Sequence, residues 1–275
     1  MRVSAIQMNS RENKAENLEQ ARRLIETAVT EDRPDMIVLP EMFTCLANED
    51  TERRKAAEQV PGGDAWTMLR DLAARHRVII HGGSILEQTD GDKIFNTTCV
   101  FDRDGREIAQ YRKIHLFDVE TPDGKSYRES NTFARGTDVV TYQAEGHRVG
   151  ASICYDLRFP ELYQELVRRG SEIIMVPAAF TTQTGKDHWE ILLRARAIET
   201  GSYVIAAAQC GAYAGDTRLS YGHSMIVNPW GHIVAQAPDK VGIVSAQLDF
   251  AYQREVRQMI PVQNHKVLTH SLKVA

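Results

Sequence analysis

Val149-Gly150-Ala151-Ser152-Ile153-Cys154-Tyr155-Asp156-Leu157-Arg158-Phe159-Pro160-Glu161-Leu162 passes from one kind of structure into another. Its first residues are small or β-branched, the composition of a buried strand, and Pro160-Glu161-Leu162 opens a helix. Cys154 therefore stands at a strand-to-helix corner. Corners at the carboxyl edge of a sheet are where α/β proteins carry reactive groups, because the strand fixes the residue and the turn exposes it. Free cysteine is also among the most buried residue types, so position alone leaves both a core role and a nucleophile open.

The same pattern recurs along the chain. Short Val- and Ile-rich runs place strands at 2–8, 36–39, 78–83, 94–102, 106–111, 137–142, 147–153, 172–176, 203–208, 221–227, 232–237 and 241–248. Helical periodicity places helices at 14–30, 65–75, 160–169, 187–200 and 250–259. Asp102-Arg103-Asp104-Gly105 and Asn228-Pro229-Trp230-Gly231 read as hairpin turns. So many strands need two sheets, and the helices can cover both outer faces. The expected fold is α/β, a four-layer α-β-β-α sandwich in one domain. The longest irregular stretch, 115–135, carries Asp118, Glu120, Asp123, Lys125, Arg128 and Glu129 and is expected to be a lid.

Composition narrows the class. The 275 residues are 43% hydrophobic and 25% charged with a net charge of -4, which suits a soluble enzyme and argues against nucleic acid as a partner. The chain enters a strand-like pattern at once and has no apolar run of membrane-spanning length, so a cytoplasmic protein without membrane contact is expected. Cys45, Cys99, Cys154 and Cys210 lie far apart without a C-x-x-C pair, the pattern of free thiols in a reducing compartment.

Other strand ends carry polar groups. Met36-Ile37-Val38-Leu39-Pro40 leads into Glu41, Ile108-Ala109-Gln110-Tyr111-Arg112 into Lys113, and Glu172-Ile173-Ile174-Met175-Val176 into Pro177-Ala178-Ala179-Phe180. Singly, Glu41 can be a helix-starting carboxylate and Lys113 a solvated charge. Together they supply a reaction. A cysteine thiol is a few per cent thiolate at neutral pH, so attack on an amide needs a base, and a carboxylate partly removed from water, such as Glu41, suits that task. The oxyanion needs donors already in place, for which the Lys113 ammonium and the Tyr155 N–H are candidates.

At these residues the chain resembles the nitrilase superfamily of carbon–nitrogen hydrolases. That family carries a Glu after a strand-Pro, a Lys in an Arg-Lys-x-His-Leu segment and a Cys in a Cys-Tyr-Asp-x-Arg-Phe-Pro-Glu segment. Here they stand as Leu39-Pro40-Glu41, Arg112-Lys113-Ile114-His115-Leu116 and Cys154-Tyr155-Asp156-Leu157-Arg158-Phe159-Pro160-Glu161. The resemblance spans 1–262, which it marks as the carbon–nitrogen hydrolase domain, with 263–275 as a C-terminal tail. It also implies a role for Glu129, orienting Lys113 and assisting proton transfer; a solvated lid carboxylate is the alternative. Tyr155, Arg158, Phe180 and Thr182 are the candidate substrate-binding residues.

Downstream, residues 185–200, Gln209-Cys210-Gly211 and Ser220-Tyr221-Gly222-His223-Ser224 resemble the branch holding the deaminated-glutathione amidases and omega-amidases. Both cleave an amide of a small 2-oxo acid, and the Gln-Cys-Gly and Ser-Tyr-Gly-His-Ser segments resemble the former more. Arg135 stands where proline is usual and Asp187 where alanine is usual, which bears on substrate choice. N-carbamoyl hydrolases, true nitrilases and a silent scaffold of the same fold are the other readings. The resemblance implies a small amide as partner, no metal or organic cofactor, and pairing of copies into a homodimer or larger homo-oligomer through 187–200 and 250–259. Lys125, Arg128, Arg158 and Arg194 are the cations available for a substrate carboxylate, with Arg158 and Arg194 equally suited to ion pairs with Glu161 or Glu190.

Overall fold

Alternation along the strands explains the layering in the computed structural model, which describes residues 1–121 and 124–268. Val3, Ala5, Met36, Val38 and Ile79 point one way and join Val149, Ile173, Met175, Tyr203 and Ile205 in a single buried cluster between two sheets. Their neighbours Ile6, Ile37 and Ile80 point the other way, under helices Lys14–Glu31 and Asp64–His76. On the second sheet, Ile174 and Val204 meet helices Pro160–Arg168 and Thr182–Thr200. Strands covered on both faces read as continuous apolar runs, which is why they were visible in the sequence. The fold is the expected four-layer α-β-β-α sandwich.

The first sheet runs in the order Gly242–Gln247, Arg2–Gln7, Met36–Val38, Ile79–His81, Phe95–Phe101, Ile85–Glu87, with Glu107–Arg112 also paired to Phe95–Phe101. The second runs Ile233–Gln236, Met225–Val227, Tyr203–Ala206, Ile173–Met175, His147–Ala151, Thr141–Ala144. Each has a parallel trio at its centre: Arg2–Gln7, Met36–Val38 and Ile79–His81 in one, and His147–Ala151, Ile173–Met175 and Tyr203–Ala206 in the other. Glu41, Cys154 and Ala179 all follow the carboxyl ends of such strands, and the two sheets bring those ends together.

Some elements differ from the sequence reading. Helix 187–200 begins earlier, at Thr182, with the Thr181 hydroxyl accepting from Thr184 N at the cap. Gly185 hid this first turn, and it is there because a Cβ would come within 2.4 Å of the Tyr221 side chain. The run 221–227 splits into Arg218–Tyr221 and Met225–Val227, since Gly222 and His223 both take positive φ and turn the chain. Short strands Ile85–Glu87 and Cys210–Tyr213 and helix Asp50–Ala56 carried too few apolar residues to register. The stretch 115–135 is not irregular: Asp118–Glu120 and Ser126–Arg128 pair antiparallel, and a 3-10 turn, Glu129–Asn131, follows. Asp123 of this stretch, and residues 269–275 of the tail, lie outside the described residues.

Candidate active site

Cys154 ends the strand His147–Ala151 by way of Ser152-Ile153 and begins a 3-10 turn, Cys154–Arg158. Its φ is +49°, a left-handed conformation costing a side-chain-bearing residue on the order of 1–2 kcal/mol. The surroundings hold it there. Cys154 N donates to Pro177 O at 2.8 Å. The fully buried Asp156 carboxylate accepts from Ile153 N at 2.8 Å and Tyr111 Oη at 2.7 Å on one oxygen, and from His115 N at 3.1 Å on the other. His115 Nδ1 lies 2.7 Å from that second oxygen, and its ring stacks on Phe159. Tyr155 is the second residue of that turn, a position whose N–H the turn itself offers no acceptor.

Glu41 follows Leu39-Pro40, where the chain closes against Gly83; there φ is +58° and a Cβ would lie 2.1 Å from Pro40 O. Gln209 Nε2 donates to Glu41 O at 3.0 Å and to Ser10 Oγ at 2.9 Å, pinning this corner to the second sheet. The Glu41 carboxylate receives Asn96 Nδ2 and Lys113 Nζ on Oε1 and Ala179 N on Oε2, each at 2.9 Å. Glu41 and Lys113 are both essentially buried.

Lys113 extends the strand Glu107–Arg112, donating its N–H to Asn96 O and accepting from Gly136 N. Its Nζ sits 2.9 Å from Glu41 Oε1 and 2.9 Å from each Glu129 oxygen. Glu129 Oε2 also accepts from Phe117 N at 2.6 Å, so the 3-10 turn after the hairpin carries the carboxylate inward. It is not a solvated lid residue.

Charge in this cluster follows from burial. Burial alone would lower the Lys113 ammonium, but Glu129 and Glu41 outweigh it and hold the pKa well above its ordinary value. Burial raises the Glu129 carboxyl, against the pull of Lys113 and with the push of Glu41. Burial and then the adjacent Glu41 charge push the Cys154 thiol well up, and Lys113 only partly opposes them. The Cys154 thiol thus lies beside the Glu41 carboxyl group, with the Lys113 ammonium held between Glu41 and Glu129. Such a set can carry out nucleophilic acyl transfer.

These groups open into a cavity of about 180 Å³. Glu41, Lys113, Glu129, Cys154, Tyr155 and Phe180 line it. Thr182 does not; Thr181 and Thr184 do, because the helix starts earlier and turns Thr182 aside. Arg158 is also outside the lining. Its guanidinium nitrogens lie 3.3 Å from His188 Nδ1 and over the Phe180 ring, so it buttresses the wall. Arg194 pairs with Glu190 at 2.9 Å and Gly231 O at 2.8 Å. Sequence reasoning did not single out Asp156, Tyr127, Arg53 or Arg218. A carboxylate at the second position after Cys154, inside a turn that must be held, was a usable signal for Asp156; the others stand on hairpins and a short helix with no periodic pattern.

The family described as carbon-nitrogen hydrolase matches residues 2–258. The chain belongs to the carbon–nitrogen hydrolase family. A deaminated glutathione amidase of Synechocystis is 42% identical to this hydrolase over 96% of the chain and 97% of the relative. A deaminated glutathione amidase of Dictyostelium discoideum is 39% identical over 98% and 94%. Among solved structures, Saccharomyces cerevisiae Nit3, a member of branch 10 of the nitrilase superfamily, superposes with a TM-score of 0.88 at 32% identity, covering 98% of this chain and 97% of that one. Among the described residues of the hydrolase no helix is long and apolar enough to cross a membrane.

Proposed function

We propose that the hydrolase cleaves the linear amide of a 2-oxo acid through a thioester on Cys154, and that deaminated glutathione is that amide. The observation carrying the chemistry is the Lys113 ammonium, locked 2.9 Å from Glu41 and Glu129 behind the thiol. The relatives named for deaminated glutathione support the substrate.

In this reading Glu41 takes the thiol proton as Sγ attacks the amide carbon. The carbonyl electrons move onto oxygen, which Lys113 Nζ and Tyr155 N–H receive. Protonated Glu41 then delivers its proton to the leaving nitrogen, the C–N bond breaks and the amine departs. Water, deprotonated by Glu41, adds to the thioester; the second tetrahedral intermediate expels Sγ, which recovers the proton. Glu129 keeps Lys113 charged and oriented through both halves. Phe180 and Tyr155 shape the wall that places the acyl chain.

The hydrolase domain is taken as 1–262, with 263–275 as a tail. The protein is placed in the cytoplasm, which four free thiols support. Copies pair through the outer face of helix Thr182–Thr200 and the end of helix Phe250–Met259, where Ile191, Ile198, Met259 and Ile260 are more than half exposed. Trp189 of the same helix is fully buried, with Nε1 donating to His223 O. Light scattering on the purified protein tests the pairing.

The test of function is release of 2-oxoglutarate and cysteinylglycine from deaminated glutathione, compared with ammonia release from 2-oxoglutaramate. Preference for deaminated glutathione is expected, and Cys154→Ala is expected to abolish turnover with the fold intact. Equal or faster turnover of 2-oxoglutaramate overturns the substrate, and residual hydrolysis by Cys154→Ala overturns the nucleophile.

A further inference from the structure

Two hairpins meet over the cavity. Strands Cys210–Tyr213 and Arg218–Tyr221 form one, tied by a Thr181–Ser220 bridge to the strand end beside Phe180. Asp118–Glu120 and Ser126–Arg128 form the other, and Lys125 Nζ donates to Thr217 O between them. Arg218 stands at this junction and lines the cavity. Its Nη2 donates to Ser126 O at 3.3 Å, and its guanidinium carbon lies 4.1 Å from the centre of the Tyr127 ring. Nη1 is buried and meets no acceptor among the described residues.

The other arginines of the cavity are committed elsewhere. Arg53 donates to Ala47 O at 3.0 Å and Asp50 Oδ1 at 3.2 Å. Arg128 holds Glu120 at 2.8 Å and the carbonyls of Val119 and Tyr127. Arg218 has no carboxylate partner among the described residues, although a desolvated guanidinium N–H is costly to leave unmet. The contact with the Tyr127 ring and the bond to Ser126 O hold the guanidinium in place, and a planar fork held in place matches a carboxylate.

We propose that Arg218 binds a carboxylate of the substrate and selects for amides that carry one, an inference that rests on the function proposed above. Deaminated glutathione has two such groups, one on the 2-oxo acyl half and one on the glycine of the departing amine. Arg218 is a binding residue in this role and takes no part in bond breaking.

The experiment compares wild type, Arg218→Met and Arg218→Lys on deaminated glutathione, on its glycine carboxamide and on butyramide. Arg218→Met is expected to raise KM for deaminated glutathione about 10- to 100-fold, with kcat within about threefold, and to affect butyramide, which carries no carboxylate, by a much smaller factor. Arg218→Lys is expected to recover part of the loss, since it restores the charge without the fork. An acyl-side carboxylate gives the same loss on the carboxamide; a glycine-side carboxylate makes wild type lose on the carboxamide with no further effect of Arg218→Met. Equal losses on butyramide and deaminated glutathione, or unchanged KM throughout, overturn the proposal. If wild type cleaves other amides and not deaminated glutathione, the substrate reading fails, and the same KM comparison on 2-oxoglutaramate against butyramide decides the role of Arg218.

Discussion

Lys113 Nζ lies 2.9 Å from Glu41 Oε1, and neither group reaches bulk water. A buried ammonium and carboxylate at hydrogen-bond distance cannot drift independently, so the candidate base and the candidate oxyanion donor are one rigid unit. Glu129 closes that unit from the opposite side. Changing Glu129 to Gln keeps the shape and removes one negative charge, leaving Lys113 with Glu41 alone. We expect kcat to fall about 10- to 100-fold with KM changed less than threefold, because the affected contact develops in the transition state. Urea unfolding should show a loss of about 1–3 kcal/mol from the weakened buried network. A Glu129→Gln enzyme with wild-type kcat would show that the glutamate only packs the hairpin.

The thiol is held neutral. Burial and then Glu41 raise the Cys154 pKa well above its ordinary value, in contrast to cysteine enzymes that rest as a thiolate. The difference in absorbance near 240 nm between wild type and Cys154→Ala at pH 7 should therefore lack a thiolate band. Alkylation by iodoacetamide should be slow at neutral pH and rise toward alkaline pH. A thiolate band at pH 7 would place the proton on Glu41 before substrate arrives and change the order of steps.

Much of this arrangement is legible in the amino-acid sequence alone. Buried strands such as Met36–Val38 and Ile173–Met175 announce themselves because both faces are covered, and the corners at Glu41 and Cys154 follow from the turn residues beside them. The hairpins over the cavity were not legible. Ser126–Arg128 and Arg218–Tyr221 have at most one buried residue each, so no period-2 signal separates them from loop. Arg218 and Tyr127 come together only through tertiary packing, and Thr182 was misplaced relative to the cavity because a glycine chosen for close approach to Tyr221 disguised the helix start. Groups that follow fully buried central strands could be read; those on the small, half-exposed hairpins over the cavity could not.

Asp156 supports the nucleophile from beneath. Its two oxygens gather Tyr111 Oη, Ile153 N, His115 N and the His115 ring within 2.7 to 3.1 Å, joining three segments at the positive-φ cysteine. Asp156→Asn replaces acceptors by an NH2 group that faces donors and leaves at least one of them unmet. Stability should fall by about 2–4 kcal/mol, and kcat should drop at least tenfold as the Cys154 conformation relaxes. Thermal melts with kinetics at a temperature where the variant is fully folded separate the two effects. Unchanged kcat in folded Asp156→Asn would show that the left-handed conformation of Cys154 is maintained without it.

His81 makes the clearest pH prediction. It ends the strand Ile79–His81 on the face between the sheets, is fully buried near Tyr142, and neither ring nitrogen has a partner on another residue among those described. Burial lowers its pKa from 6.5 to about 3. Above pH 6.5 the folded and unfolded chains both carry it neutral, and it adds no pH dependence. Between pH 6.5 and about 3 the unfolded chain binds a proton that the folded chain refuses, so stability falls by roughly 1.4 kcal/mol for each pH unit. His81→Leu removes this linkage and two desolvated nitrogens. The variant should match or exceed wild-type stability at pH 7.5, and its advantage should widen as pH drops from 6 to 4.5. Urea denaturation at those pH values measures it; parallel pH profiles for the two proteins would mean that His81 is protonated or partnered in the folded state.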